Sequence, residues 1–245
     1  MRYRVKVGQV SYGEAIGIVL LENYAPFIPG DVANATTYSY PVRFQRVEGF
    51  TVERIFRHDM ELLDAVTEAV AALQREGVRA VTGDCGFMAI YQQQIARNAG
   101  IPVFLSSLMQ IPFISQIIGR NREIGVITAN KHSLTPELFH GAGVPEELLP
   151  ALRIRGLEDH DHFTDAVVRE LGELDTDLVE AAVVQRAVDL SRDYPEVRAI
   201  LLECSLLPPY GAAVQEAVGL PVFDFVTMID FVYSAVVKRR FSGFM

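Results

Sequence analysis

The chain has 245 residues, and 50% of them are hydrophobic, which is enough apolar surface for a sizeable core. Its net charge of −9 argues against a nucleic-acid-binding surface, because such surfaces are normally basic. The sequence shows neither a signal peptide nor an apolar run that would span a bilayer, so we expect a cytoplasmic protein without nucleic-acid or membrane partners.

Apolar runs and helical patterns alternate along the chain. Residues 16–21 form a short apolar run typical of a buried parallel strand, and residues 23–40, with several Pro and Gly, predict a loop. Further strands are predicted at residues 78–83, 101–105, 123–128, 197–202 and 220–223. Helices are predicted at about 57–76, 88–99, 177–193 and 209–218, followed by a final helix. Because helices separate the strands, we expect parallel sheets with right-handed crossovers.

Two segments of the chain repeat each other 119 positions apart. The sequence VRA begins the predicted strand that ends just before Cys85, and VRA recurs at the start of the predicted strand that ends just before Cys204. At the same offset Tyr91 matches Tyr210, and GIPVF at 100–104 matches GLPVF at 219–223. Matching strands, cysteines and turns at one offset indicate an internal duplication.

Each cysteine follows a buried strand and precedes a helix. Ligands of open α/β sheets bind at the carboxyl ends of strands, where a helix N-terminus also favours a thiolate. If the halves face each other, Cys85 and Cys204 are an opposed acid and base at one carbon. The backbone N–H groups of Gly86 and Ser205 would then hold the substrate carboxylate and the developing enolate-like charge. The alternative, that the cysteines only pack, does not explain why both occupy equivalent positions of the repeat.

The cysteine segments resemble a known family. GDCGF at 83–87 and ECSLLPPY at 203–210, with IPGDV at 28–32, are similar to the aspartate/glutamate racemase superfamily, which includes hydantoin racemases, maleate isomerases and arylmalonate decarboxylases. The resemblance implies an α/β fold of two pseudo-symmetric Rossmann-like halves, with parallel sheets, an inter-domain cleft, no cofactor and a homodimer. We place the first half at residues 1–120 plus about 225–245, and the second at 121–224. The residues that follow Cys85 and Cys204 differ from those of glutamate racemases, so the substrate is not carried over.

These observations predict a cofactor-independent, two-cysteine racemase that inverts the α-carbon of an amino acid or a related carboxylate. A related maleate-isomerase or decarboxylase-type enzyme is one alternative. A cysteine hydrolase that uses Cys85 is another, since GDCGF is close to a nucleophile elbow. A small-molecule-binding protein without catalysis is the third.

Other polar residues at strand ends are candidates for substrate binding. Glu22 and Asn23 follow the first strand and could hold an ammonium group. Thr128, Asn130 and Lys131 follow the strand at 123–128, where they would bind a carboxylate or cap a helix.

Three further features receive a mainly structural interpretation. Phe87 is expected to wall the cleft or to pack in the core. Asp84 and Glu203 precede the cysteines, and strand alternation predicts that their side chains point away from the thiols. His160 and His162 lie in a charged segment without an evident third ligand, so we predict no metal site there.

Overall fold

The computed structural model describes residues 2–5, 7–119 and 121–245. In this part of the chain two four-stranded, all-parallel sheets form, with strand orders β2-β1-β3-β4 and β6-β5-β7-β8. The first sheet consists of β1 (Ile16–Leu20), β2 (Val42–Arg46), β3 (Ala80–Gly83) and β4 (Val103–Phe104). The second consists of β5 (Glu123–Thr128), β6 (Leu152–Gly156), β7 (Val197–Leu202) and β8 (Val222–Phe223). The identical strand orders confirm the predicted α/β fold of two similar halves.

Helices connect the strands. The α-helices are α1 (Val52–Phe56), α2 (Leu63–Arg75), α3 (Ala89–Asn98), α4 (Ile111–Ile118), α5 (Pro136–Gly141), α6 (Asp161–Val167), α7 (Thr176–Asp193), α8 (Gly211–Val218) and α9 (Phe225–Val236). Short 3₁₀ segments lie at Ala35–Thr37, Met60–Leu62, Gly86–Met88, Ser107–Gln110, Glu146–Ala151 and Pro208–Tyr210. The sequence analysis missed β2, β6, α1, α4, α5 and α6. It merged the segment between residues 57 and 76 into one helix, whereas α2 begins only at Leu63.

The cysteine-bearing turns leave the two sheets at equivalent positions. After β3 the N–H of Asp84 still donates to Val19 O of β1 (3.1 Å), and after β7 the N–H of Glu203 donates to Ile127 O of β5 (2.7 Å). The chain therefore stays beside the neighbouring strand for one residue more before it turns. This places the next residue, a cysteine in both halves, at the carboxyl end of the sheet.

One apolar core joins the halves. Buried residues of the first half, such as Leu105, Ile111 and Ile114, belong to the same cluster as Ile124 and Leu201 of the second sheet. Helices α3 and α5 also contact each other across the interface. Because burial of apolar surface is favourable, the hydrophobic effect stabilises the contact between the two halves as well as the core of each half.

The last helix returns to the first half. Phe225, Met228 and Ile229 of α9 pack against Ile16 and Ala80 of the first sheet. The predicted boundary at residue 120 falls on Arg120, which lies outside the described residues, so that boundary stays a prediction. Over the described ranges no helix combines the length and apolarity needed to cross a membrane.

Candidate active site

Both cysteines are free thiols in the turns that follow β3 and β7. The backbone N–H of Phe87 hydrogen-bonds the Cys85 sulfur, and that of Leu206 hydrogen-bonds the Cys204 sulfur. These two donors are themselves related by the repeat. Each turn then enters a 3₁₀ segment that leads into α3 or α8. The duplication thus gives the thiols equivalent backbone environments.

A small cavity between the halves brings the two thiols together. Cys85 and Cys204 both line it, as do the predicted site residues Asn23, Gly86, Phe87 and Ser205. Its volume is about 30 Å³, which is room for about two water molecules. The other lining residues are apolar, aromatic or acidic: Leu21, Phe27, Val52, Ile55, Phe56, Ala129, Val167, Leu206, Asp84 and Glu203. Among the residues that the structure describes, no Lys, Arg or His lines this cavity.

The two carboxyl groups of the cavity wall are bound differently. Both oxygens of Asp84 accept the N–H of Leu21, at 3.0 and 3.1 Å. Glu203 Oε2 accepts the hydroxyl of Thr128 (2.8 Å), whereas Oε1 is buried without a hydrogen-bond partner. Burial raises the pKa of both Asp84 and Glu203 to about 7. Both residues line the cavity together with the cysteines, so the prediction that strand alternation turns them away from the thiols is wrong, because the regular strands end at Gly83 and Leu202. Glu203 also has an unused acceptor there.

The surroundings of both thiols favour the protonated form. Burial raises the pKa of Cys85 and of Cys204 well above the ordinary thiol value, and the nearby Glu203 carboxylate raises both further. The N–H groups of Phe87 and Leu206 act in the opposite direction but are outweighed. Forming a thiolate here therefore requires a change in the charge of the cavity.

The cysteine turns of the two halves interlock. Ser205 Oγ donates to the carbonyl of Asp84, so the hydroxyl links the second turn to the first. Ser107 Oγ donates to the carbonyl of Glu203 (2.9 Å). Gly30, at φ +104°, lies so close to Pro209 that a β-carbon would come within 2.9 Å of its Cα. Such close backbone contacts fix the position of both turns.

Asp31 is a site neighbour that the sequence analysis missed. Its side chain is buried, Oδ2 accepts the N–H of Ile28 (2.6 Å), and Oδ1 has no partner. Burial raises the pKa of Asp31 to about 8, and its charge acts on Cys204. The available signal was a single acidic residue in the otherwise uncharged IPGDV segment.

Asn23 bridges the halves at the edge of the cavity. Its Nδ2 donates to Val167 O at the end of α6 (3.1 Å), and its Oδ1 accepts the N–H of Ala25 (2.7 Å). Its predicted neighbour Glu22 points elsewhere, because its carboxylate accepts the N–H of Gly49 (2.8 Å) and the hydroxyl of Tyr24 (3.2 Å). The structure thus brings Asn23 to the cavity and leaves Glu22 outside it.

The candidates after β5 do not line the cavity. The Thr128 hydroxyl donates a hydrogen bond to Glu203, which lines the cavity, but Thr128 itself does not line it. Asn130 Oδ1 accepts the N–H of His132 (2.9 Å), which is a local turn contact. Lys131 Nζ lies 3.4 Å from Glu158 Oε1 and forms an ion pair with it. These contacts satisfy the alternative interpretation of this segment as a capped turn.

Helix α1 covers the cavity and was not predicted. Val52, Ile55 and Phe56 line the cavity from this helix, and the Phe56 and Phe87 rings lie 5.2 Å apart. His58, at φ +55°, follows the helix, and its Nε2 lies 2.9 Å from Ser133 O of the second half. A five-residue helix is too short to show a helical period, so its sequence gave little signal.

The histidines considered as a metal pair have structural contacts. His160 Nδ1 accepts the N–H of Phe163 (3.2 Å), and His162 Nε2 accepts the N–H of Asp175 (2.6 Å). Within the described ranges, His, Cys, Asp and Glu side chains do not form a group of three or more that could hold a metal ion.

Solved structures with the same architecture define the class of fold. Allantoin racemase from Pseudomonas fluorescens has a TM-score of 0.62 at 18% identity, over 91% of each chain. Arylmalonate decarboxylase has a TM-score of 0.58 at 17% identity, over 92% of this chain and 94% of that one. Glutamate racemase from Bacillus anthracis has a TM-score of 0.54 at 14% identity, over 92% and 85%. The chain has the two-domain fold of the aspartate/glutamate racemase superfamily, and the predicted resemblance is confirmed.

Sequence relatives define the family more narrowly. Dimethylsulfoniopropionate lyase 5 of Emiliania huxleyi (strain CCMP1516) is 35% identical over 230 residues, which cover 90% of this chain but only 45% of that protein. The dimethylsulfoniopropionate lyase of Durusdinium sp. clade D is 31% identical over 223 residues, covering 89% of this chain and 73% of that protein. No protein-family model matches the chain. The chain belongs to the family of these dimethylsulfoniopropionate lyases.

These relatives show that the predictions of a racemase and of the isomerase class are wrong. Proteins that are 31–35% identical over most of the chain are lyases. The physical reason for the error is that racemisation and β-elimination both begin when a base removes a proton next to a carboxylate. Paired cysteines are compatible with such a first step, but they do not identify the bond that breaks afterwards.

Proposed function

We propose that this protein is a lyase that cleaves dimethylsulfoniopropionate, or a closely similar cationic propionate, into a neutral sulfide and an acrylate. The observation that carries the proposal is the composition of the cavity. It combines two thiols with the buried carboxyl groups of Asp84 and Glu203, and no cationic side chain of the described residues lines it. Such a cavity suits a substrate that brings its own positive charge.

Dimethylsulfoniopropionate carries a carboxylate at one end and a dimethylsulfonium cation at the other. We assign the carboxylate to the backbone N–H groups of Gly86 and Ser205, in the turns where α3 and α8 approach the cavity. These donors would also stabilise the negative charge that develops when the adjacent carbon loses its proton. The sulfonium then lies among the carboxyl groups and the rings of Phe56 and Phe87, which attract cations with their faces.

The elimination proceeds from a thiolate. The thiolate removes a proton from the carbon next to the carboxylate, and the freed electron pair forms the carbon–carbon double bond. The carbon–sulfur bond breaks with both electrons going to sulfur, so dimethyl sulfide leaves as a neutral molecule and acrylate remains. No proton returns to carbon. One base is therefore sufficient, in contrast to the two that stereoinversion requires.

The substrate also supplies the charge that the thiols lack. In the empty cavity, burial and nearby carboxylates keep the pKa of both thiols high. A sulfonium cation bound beside them favours the thiolate, because an opposite charge at short range lowers a thiol pKa. A bound cationic substrate thus favours formation of the reactive base.

Other aspects of the protein's role are part of the same proposal. This chain spans 45% of the first relative and 73% and 69% of two others, so the activity of a whole protein is inferred from the shared region. We propose a cytoplasmic homodimer that acts on a small carboxylate, without nucleic-acid or membrane partners. The net charge of −9 supports the absence of a nucleic-acid surface.

The test is direct. The protein is mixed with dimethylsulfoniopropionate, and dimethyl sulfide is measured by gas chromatography and acrylate by NMR. Equal amounts of both products are expected, and replacing the base by Ser (Cys85→Ser or Cys204→Ser) should lower kcat by about 10²–10⁴-fold. The thermal midpoint of each variant controls for folding. Uptake of deuterium next to the carboxylate without release of dimethyl sulfide would contradict a lyase.

A further inference from the structure

The two halves of the repeat use their buried carboxyl groups differently. Asp84 and Glu203 occupy equivalent positions, one residue before each cysteine. Both carboxylate oxygens of Asp84 accept the N–H of Leu21. Glu203 is one methylene longer, and only its Oε2 is bound, to the Thr128 hydroxyl. Its Oε1 has no hydrogen-bond partner, and the residue is only 1% exposed, so the oxygen is buried. A buried acceptor without a donor is costly, so it requires an explanation.

The free oxygen of Glu203 lies against the first cysteine turn. A β-carbon on Gly86, the residue after Cys85, would overlap Glu203 Oε1. Glycine at position 86 therefore lets a carboxylate from the second half reach the backbone beside Cys85. Glu203 and Cys85 also line the same cavity.

Among the described residues that line the cavity with Glu203, none carries a positive charge. Cys85 and Asp84 face it from the turn after β3, Cys204 follows it in its own turn, and Asp31 acts on Cys204 from the loop before β2. The free oxygen lies against Gly86, the residue after Cys85, and both Glu203 and the Cys85 thiol line the same cavity.

We propose that Glu203 is the proton acceptor that converts Cys85 into the thiolate, which makes Cys85 the base of the elimination. The inference rests on the proposed function for its substrate. The Glu203 carboxylate takes the thiol proton and becomes a carboxylic acid. The Cys85 thiolate then takes the proton next to the substrate carboxylate and is a thiol again when dimethyl sulfide and acrylate form. Glu203 afterwards releases its proton to water, which accounts for the one proton that the elimination produces.

The titration of Glu203 agrees with this assignment. Burial raises the pKa of Glu203 to about 7, and a proton acceptor works best when its pKa is near the operating pH. Because Glu203 and Cys85 interact, the pH profile reports apparent pKa values of the two groups together.

The experiment compares the protein with Glu203→Gln, which keeps the size of the side chain and an acceptor for Thr128. If Glu203 takes the proton, kcat falls by about 10²-fold or more. The rise of kcat/KM near pH 7 also disappears from the pH profile. If the carboxylate only hinders ionisation of the thiol, removing it makes the variant faster, and that result overturns the proposal. Glu22→Gln is the matched control, because Glu22 lies outside the cavity and its replacement should leave the pH rise in place.

A second measurement does not depend on turnover. Alkylation of Cys85 by iodoacetamide is followed against pH, and mass spectrometry separates its peptide from that of Cys204. The unaltered protein should show a step near pH 7 that Glu203→Gln lacks, whereas identical single steps in both would overturn the proposal. If the step is present but dimethylsulfoniopropionate is not cleaved, the proton transfer stands and the proposed function falls.

Discussion

At the scale of single residues, the site is defined by acids that the fold keeps out of water. Asp31, Asp84 and Glu203 are all buried, and burial raises the pKa of each to between about 7 and about 8. The repeat placed the two cysteines at equivalent strand ends, and the structure brings both to one cavity. The sequence did not predict the role of the carboxyl groups, because burial of a charge depends on which side chains arrive from the other half.

Asp31 gives a prediction on stability. The pKa of Asp31 rises from 3.8 to about 8 on folding, so between these values the folded protein holds a proton that the unfolded chain has lost. The free energy of unfolding therefore falls as pH rises through this window. Asp31→Asn removes that dependence and can still accept the N–H of Ile28. Scanning calorimetry should show the variant gaining thermal stability over the unaltered protein from about pH 5 to about pH 8. A difference that stays constant over this range would contradict the prediction.

At the scale of elements, strands with a continuous apolar run were predicted from the sequence, and strands without one were missed. The buried strands β1, β3, β5 and β7 are mainly apolar runs, and their predicted bounds agree with the structure to within two residues. The strands β2 and β6 lie at sheet edges and carry polar residues at alternate positions, Arg43 and Gln45 in β2 and Arg153 and Arg155 in β6, so they lack such a run. Edge strands are half solvated, and their sequences are correspondingly less distinctive.

Helix α1 is expected to be the element that opens for the substrate. A cavity of about 30 Å³ is too small for a propionate, so part of its wall must move. α1 is short and lies between Gly49 and His58, which both have positive φ. Hydrogen exchange in residues 49–59 should be faster than in α2 and should slow when acrylate is added. Protection equal to that of α2, with no response to acrylate, would place the opening elsewhere.

At the scale of the whole molecule, the two similar halves share one apolar core. The repeat predicted two similar units, but it could not show that buried residues of both share a single cluster. That sharing comes from helices α4 and α5, whose sequences were not recognised as helices. Interfaces that are continuous with a core do not behave as hinges between independent domains.

The shared core predicts one unfolding transition for the full chain. Because Ile111 and Ile114 lose their packing partners when the second sheet unfolds, neither half should survive the loss of the other. Calorimetry should give equal calorimetric and van't Hoff enthalpies, as expected for two-state unfolding. Two resolved transitions would show that the halves are independent. Asp31→Asn should move this single transition without splitting it.

The placement of one thiol on each half has a stereochemical consequence. The carbon next to the carboxylate of dimethylsulfoniopropionate carries two hydrogens that are distinguishable only in a chiral environment, so it is prochiral. Cys85 and Cys204 reach the same cavity from pseudo-symmetric turns. A base on one half meets one of these hydrogens, and a base on the other half meets its mirror-related partner. The choice between the cysteines is therefore a choice between two hydrogens, and the acrylate keeps the one that the enzyme did not take.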